Sequence, residues 1–159
     1  MRNKQKGFSL IELLIVVAII LIIAAIAIPN LLRARISANE ASAVASLRTM
    51  NTASITYNSS YGNYPTVLSD LGPSNGATPT STTADLLDSV LAPAGGGNTA
   101  TKSGYTFTFA IPASGNPGYT INADPVSVNQ TGVRHFYTDS SGVVRSNQTA
   151  ASTIADSPL

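Results

Sequence analysis

Residues 8–28 read FSLIELLIVVAIILIIAAIAI, a run of 21 residues interrupted only by Ser9 and Glu12. As a helix it would be about 30 Å long, the thickness of a bilayer's hydrocarbon core. A segment of that length and composition is a candidate membrane span, and its orientation would decide where the rest of the chain goes. Arg2, Lys4 and Lys6 lie ahead of it. Basic residues before an apolar span hold that end in the cytoplasm. The remainder is then expected on the other side of the membrane.

A cleaved secretory signal would need a shorter apolar core, ~7–15 residues, although Ala25-Ile26-Ala27 has the small-residue form of a cleavage site. A plain membrane anchor fits the length but leaves Glu12 unexplained. An ionised carboxylate inside a span costs ~2.5–3.5 kcal/mol at the centre and less near an end, and by default marks a functional site that needs a partner.

The segment KGFSLIELLIVVAIILIIAAIAIPN resembles the N-terminus of type IV pilins and type II secretion pseudopilins. The resemblance is dense over residues 6–30. It implies cleavage between Gly7 and Phe8 by a membrane-embedded aspartyl prepilin peptidase, which also N-methylates Phe8. It assigns Arg2, Lys4 and Lys6 to the leader's charge. Glu12, five residues into the mature chain, becomes the assembly residue, whose carboxylate meets the α-amine of a neighbour's Phe8. Charge inside an apolar bundle is strongly unfavourable unless paired, so such a pair penalises wrong registers. The alternative is that Glu12 pairs in cis or sits among the headgroups. Many members carry glycine where this chain has Leu21.

Pro29 removes a backbone donor and is expected to kink the helix where it leaves the lipid. Beyond it, Ile36, Ala43, Leu47, Met50, Tyr57 and Tyr61 fall at heptad-compatible spacing, with Ser54 the weak member. Arg33, Arg35, Asn39, Glu40 and Arg48 read as the polar positions between them. The pattern predicts one helix over about residues 8–61, with a membrane half and an amphipathic half that covers the chain's own sheet, or in the alternative forms a coiled-coil seam. Gly62 and Pro65 end it. Residues 62–103 read as loop with two short helical pieces, Thr66–Leu71 and Ala84–Leu91. The second has Thr82 and Thr83 as caps and Asp85 in its first turn. Gly95-Gly96-Gly97 lacks the Lys-Ser/Thr of a phosphate loop and reads as a hinge.

Strands come next. Tyr105, Phe107, Phe109 and Ile111 alternate with Thr106, Thr108 and Ala110, and Tyr119, Ile121 and Ala123 continue the pattern. Arg134–Thr138 and Gly142–Arg145 flank the turn Asp139-Ser140-Ser141-Gly142. The predicted fold is α+β: a long N-terminal helix, membrane-spanning then amphipathic, packed on an antiparallel meander of three or four strands, as in type IV pilins. The expected divisions are a removed leader at 1–7, a transmembrane and filament-core half at 8–35, and a globular domain at 36–159. That domain comprises helix 36–61, loops 62–103, meander 104–146 and a polar tail 147–159, frayed or lying at a sheet edge.

Chemistry is sparse. The chain has no Cys, no Trp and one histidine. Thiolate chemistry, disulfides, Cys-based metal sites and multi-His metal sites are excluded for one chain. A formal net charge of +1 gives no general grip on nucleic acid. His135, with no acidic sequence neighbour closer than Asp139, reads as structural. Asp124 and Asp139 could ligate calcium only with more oxygen donors than the sequence supplies nearby. Tyr57, Tyr61 and Tyr64 read as packing around the helix end. No catalytic residue, metal or cofactor is expected.

The function implied by the resemblance is a structural subunit, not an enzyme. The subunit would insert in the bacterial inner membrane as a single-pass precursor and polymerise into an extracellular type IV pilus. Its partners would be further copies of itself, the prepilin peptidase and an ATPase-driven inner-membrane assembly platform. The alternative is a periplasmic pseudopilus of a type II secretion system. A secreted enzyme with a removed signal is disfavoured by Glu12 and by the want of any catalytic constellation.

Overall fold

The computed structural model of the chain describes residues 8–112 and 118–159. The leader residues Arg2, Lys4, Lys6 and Gly7 lie outside the described residues. The first helix, α1, spans Leu10–Tyr61 and runs through Pro29 and Leu21 without a break. The chain divides into two compact units, Met1–Arg35 and Ile36–Leu159.

In the first unit every large apolar side chain is exposed, from Phe8 at 87% to Leu32 at 44%. None of its most apolar stretch is buried. Water would hydrate this surface at a cost of about 25 cal/mol per Å² of apolar area, so lipid or other apolar helices must cover it.

The second unit is α+β. The α1 residues from 36 to 61 pack on a five-stranded antiparallel sheet of order β1-β2-β3-β4-β5. The strands are β1 Thr99–Lys102, β2 Tyr105–Ala110, β3 Thr120–Pro125, β4 His135–Asp139 and β5 Arg145–Asn147. Alternation decides the faces: Tyr105, Phe107 and Phe109 of β2, Ile121 and Ala123 of β3 and Phe136 of β4 are buried. They form one core with Ala43, Leu47, Met50, Ala53 and Tyr57 of the helix. The Phe109 and Tyr119 rings stack with centroids 5.7 Å apart, and Tyr64 meets Tyr119 edge-on at 5.2 Å. Gly132 lies against the Tyr105 ring so closely that a Cβ there would collide with the phenol. Tyr105 then donates to the Arg134 carbonyl at 2.8 Å. The helix ends as expected: Gly62 has φ +79°, open to glycine without strain, and its N–H reaches the Asn58 carbonyl at 2.8 Å.

Four expectations need correction. Ala84–Leu91 is not a helix. Asp85 has φ +57°, and the N–H groups of Ala84, Asp85, Leu86 and Leu87 bond to the carbonyls of Asp70, Gly72 and Leu71. Those donors are used across the loop and are unavailable for a helical ladder. The first helical piece contracts to a 3₁₀ turn, Leu68–Leu71. There the Asp70 carboxylate accepts from Thr66 N, Thr66 Oγ1 and Val67 N. The sheet begins earlier than residue 104, because β1 pairs Thr99–Lys102 with Thr108–Tyr105. The last strand begins at Arg145 rather than Gly142, since Gly142 at φ +75° still belongs to the turn.

The C-terminal residues turn back along β5. Ser146 donates to the Ser157 carbonyl, Leu159 N to the Val144 carbonyl, and Asn122 Nδ2 to the Ser152 carbonyl. The Asp156 carboxylate gathers Asn147 Nδ2 at 2.9 Å and Thr153 N at 2.6 Å.

Candidate functional site: the exposed N-terminal helix

The start of α1 follows from three residues. Ser9 precedes the first helical residue, Leu10, and Glu12 occupies the third helical position. Glu12 Oε2 accepts the Ser9 backbone N–H at 2.9 Å. This is the returning half of a capping box, and a carboxylate is also favoured beside the positive end of the helix dipole. In the single chain Glu12 is therefore engaged in cis by its own helix terminus. Its Oε1 takes no hydrogen bond from the described residues. Phe8 stands just ahead of this cap and is almost wholly exposed. From Leu10 to Leu32 the helix presents hydrocarbon on every side, and Glu12 is the one acidic residue in that stretch.

Among its described residues the second unit carries no comparable exposed apolar stretch. His135 does have an acidic neighbour that its own sequence surroundings hid. Cross-strand pairing places Nδ1 2.6 Å from Asp124 Oδ1. Asp139 Oδ1 accepts the Ser141 N–H at 2.8 Å, which makes the β4–β5 turn. The two aspartates are thus committed to different partners. Among the described residues no group of three or more His, Asp or Glu side chains is placed to hold a metal.

Two polar residues on the covered face of α1 were not legible as such. Glu40 reads as a solvent-facing position, yet it is 6% exposed. Its Oε1 accepts the N–H groups of Val133 and Arg134 at 2.9 and 3.1 Å, and its Oε2 pairs with Arg134 Nε at 2.9 Å. Burial pushes its carboxyl up, but the Val133 and Arg134 donors together outweigh that, leaving it below the usual range. Asn51 joins the core's hydroxyls: Nδ2 donates to Thr138 Oγ1 at 2.8 Å, and Oδ1 accepts from the Tyr119 hydroxyl at 3.1 Å. Burial pushes the Tyr119 phenol up to about 12, so it stays a donor. The signal for both lay in their positions: Glu40 and Asn51 sit three before Ala43 and one after Met50, on the stripe's margin.

Residues 2–28 match the family profile of the prokaryotic N-terminal methylation motif. The chain is 70% identical over 40 residues, 25% of its length, to the type IV wide pilus major component PilA4 of Thermus thermophilus. It is 39% identical over 69 residues, 43% of its length, to the type IV major pilin protein PilA of Myxococcus xanthus. The matched segments span 30% and 31% of those relatives' own lengths. No solved structure gives a significant match. The chain thus carries a prokaryotic N-terminal methylation motif on an exposed apolar helix, and over this N-terminal part it is similar to type IV pilins.

Proposed function

We propose that this chain is a structural subunit of an extracellular type IV pilus. It inserts in the inner membrane through residues 8–35 and is cleaved between Gly7 and Phe8, so that Arg2, Lys4 and Lys6 leave with the leader. The prepilin peptidase N-methylates Phe8. The subunit then polymerises through its N-terminal helix, driven by the ATPase-powered assembly platform. Residues 36–159 form the outward-facing domain, and the subunit's role is structural rather than enzymatic.

The carrying observation is the N-terminal segment itself, apolar and exposed on all sides with Glu12 as its one acid. A surface of that kind is soluble only in lipid or in a bundle of its own copies. Glu12 changes partner between the two. Cleavage turns Phe8 into a free α-amine, cationic near neutral pH. In a staggered bundle that amine is the natural counterion for a neighbour's Glu12, and the pair replaces the solvent lost on assembly. The relatives, both named as pilus components, favour the pilus over the pseudopilus.

Glu12→Leu tests this in cells lacking the native copy. The protein is expected at normal levels in membranes, cleaved and folded, with few filaments in the sheared surface fraction. Abundant, normally ordered filaments would refute the role given to Glu12.

A further inference from the structure

The apolar surface of the first unit does not stop at Pro29. Leu31 and Leu32 remain exposed at 72% and 44%, and the next two charged residues are Arg33 and Arg35, both exposed. Neither has an acidic partner. The ion pairs among the described residues are Lys102–Asp88, Arg134–Glu40 and His135–Asp124. Glu40, the acid nearest in sequence, is fully committed to the 133–134 backbone and Arg134.

Two distances identify what these guanidinium groups face. With Phe8 at one membrane boundary, a helical rise of about 1.5 Å per residue puts Arg33 and Arg35 about 38 and 40 Å away. A bilayer is about 30 Å thick in its hydrocarbon core and about 40–45 Å with headgroups. With residues 8–28 filling the core, both arginines therefore lie about 8–10 Å beyond its far edge, at the outer margin of the headgroup layer, into which their long side chains can reach back. Two residues along a helix are also about 200° apart around its axis, so the pair points to opposite sides. One protein neighbour could satisfy one of them. A surface that surrounds the helix can satisfy both.

We infer that Arg33 and Arg35 form a two-sided collar that binds the phosphates of anionic lipids at the far face of the membrane. The inference rests on the membrane reading of residues 8–35 proposed above. Arginine suits the role because its planar guanidinium binds phosphate through two parallel N–H donors. The long stems lie along the apolar surface while the charged ends stay in the headgroup layer. The collar also matters after cleavage. The leader's Arg2, Lys4 and Lys6 are then gone, and Arg33 and Arg35 are the charged side chains left beside the span. They hold the mature subunit at a fixed depth, with its apolar segment in lipid, until assembly removes it.

The absence of cysteine makes a direct test simple. The full chain carrying Ala34→Cys, labelled with a fluorophore, is reconstituted at high lipid-to-protein ratio in phosphatidylcholine vesicles containing one quarter phosphatidylglycerol. Quenching is compared for nitroxide-labelled phosphatidylglycerol and nitroxide-labelled phosphatidylcholine. A basic residue at an anionic surface favours anionic neighbours by roughly fivefold, so a several-fold preference for the anionic quencher is expected. Arg33→Gln/Arg35→Gln should abolish the preference, and Arg33→Lys/Arg35→Lys should keep part of it. Equal quenching by both lipids in the wild-type background would overturn the collar. So would a lipid preference that survives the double glutamine change, or a label shielded from both lipids until dilution, which would mean a second copy covers the arginines. A label at Leu21→Cys separates the two levels. If acyl-chain nitroxides quench it, the span is inserted and any failure belongs to the collar alone. If they do not, the membrane reading falls and the collar with it.

Discussion

Replacing Asn51 with alanine isolates the contact that ties helix to sheet through polar atoms. Asn51 is 5% exposed, and both groups that it bonds, the Tyr119 and Thr138 hydroxyls, belong to residues with no exposed surface. Asn51→Ala removes their shared partner, leaving the Tyr119 hydroxyl only its contact with the Ser54 side chain and the Thr138 hydroxyl no replacement. A buried polar group left without a hydrogen bond costs about 1–3 kcal/mol, and both hydroxyls are affected, so the loss is about 3–5 kcal/mol once the void is included. The unit from Ile36 to Leu159 unfolds with an entropy near 0.25 kcal/mol/K for about 120 residues. The melting temperature should therefore fall by about 12–20 °C. Thermal and urea unfolding of residues 36–159, followed by tyrosine near-UV circular dichroism, measures both quantities. A triple variant, Asn51→Leu with Tyr119→Phe and Thr138→Val, removes the hydroxyls together with the amide and is expected to regain most of the loss. The reasoning fails if Asn51→Ala costs less than about 1 kcal/mol, or if the triple variant is no more stable than the single one.

Three further outcomes follow from the same geometry. Gly7→Val should leave an uncleaved precursor, because a β-branched side chain obstructs a tight protease cleft; intact-mass measurement of membrane protein showing normal processing would contradict this. Deleting residues 1–35 should yield a soluble monomer, since the exposed apolar helix half is gone; an obligate oligomer at micromolar concentration in the ultracentrifuge would mean that the 36–61 face is itself an intermolecular seam. Glu40, with its carboxyl held below its ordinary value of 4.5, stabilises the fold above that pH and loses this contribution as pH falls through the lowered value. In the full chain in non-ionic detergent, Glu40→Gln should be about 1–2 kcal/mol less stable at neutral pH and show a flatter loss on acidification; parallel pH curves for the two proteins would count against the pairing.

The parts of the fold that were legible are those where side-chain period alone sets the structure. The helix follows from an apolar run and the spacing of Ala43, Leu47, Met50 and Tyr57, and β2 from the strict alternation of Tyr105 to Ala110. The sequence of β1, Thr-Ala-Thr-Lys, carries one small buried side chain, Ala100, and its strand state depends on pairing with β2. Ala84–Leu91 has helical composition, but the backbone acceptors at residues 70–72 outcompete a helix. The candidate site was legible because it is linear: Phe8, Glu12 and the span need no tertiary fold to be adjacent. Glu40 and Asn51 acquire their partners from residues 68 to 94 positions away, which no local pattern encodes.

The folded-back C-terminus has a consequence for a chain that, on the proposed function, packs against its own copies. An open antiparallel sheet offers unpaired amides and carbonyls at both margins, a template on which another chain can add strands without limit. Here Pro158 bridges Arg145 and Leu159 reaches Val144, so one margin is already occupied by the chain's own end. The other margin is the four-residue β1, closed by Lys102, whose charge resists stacking. Growth by sheet addition is thereby discouraged at both sides. On the proposed function, polymerisation is left to the helix, where lipid can withhold it, so orderly assembly and irreversible aggregation would be kept on separate surfaces of one small subunit.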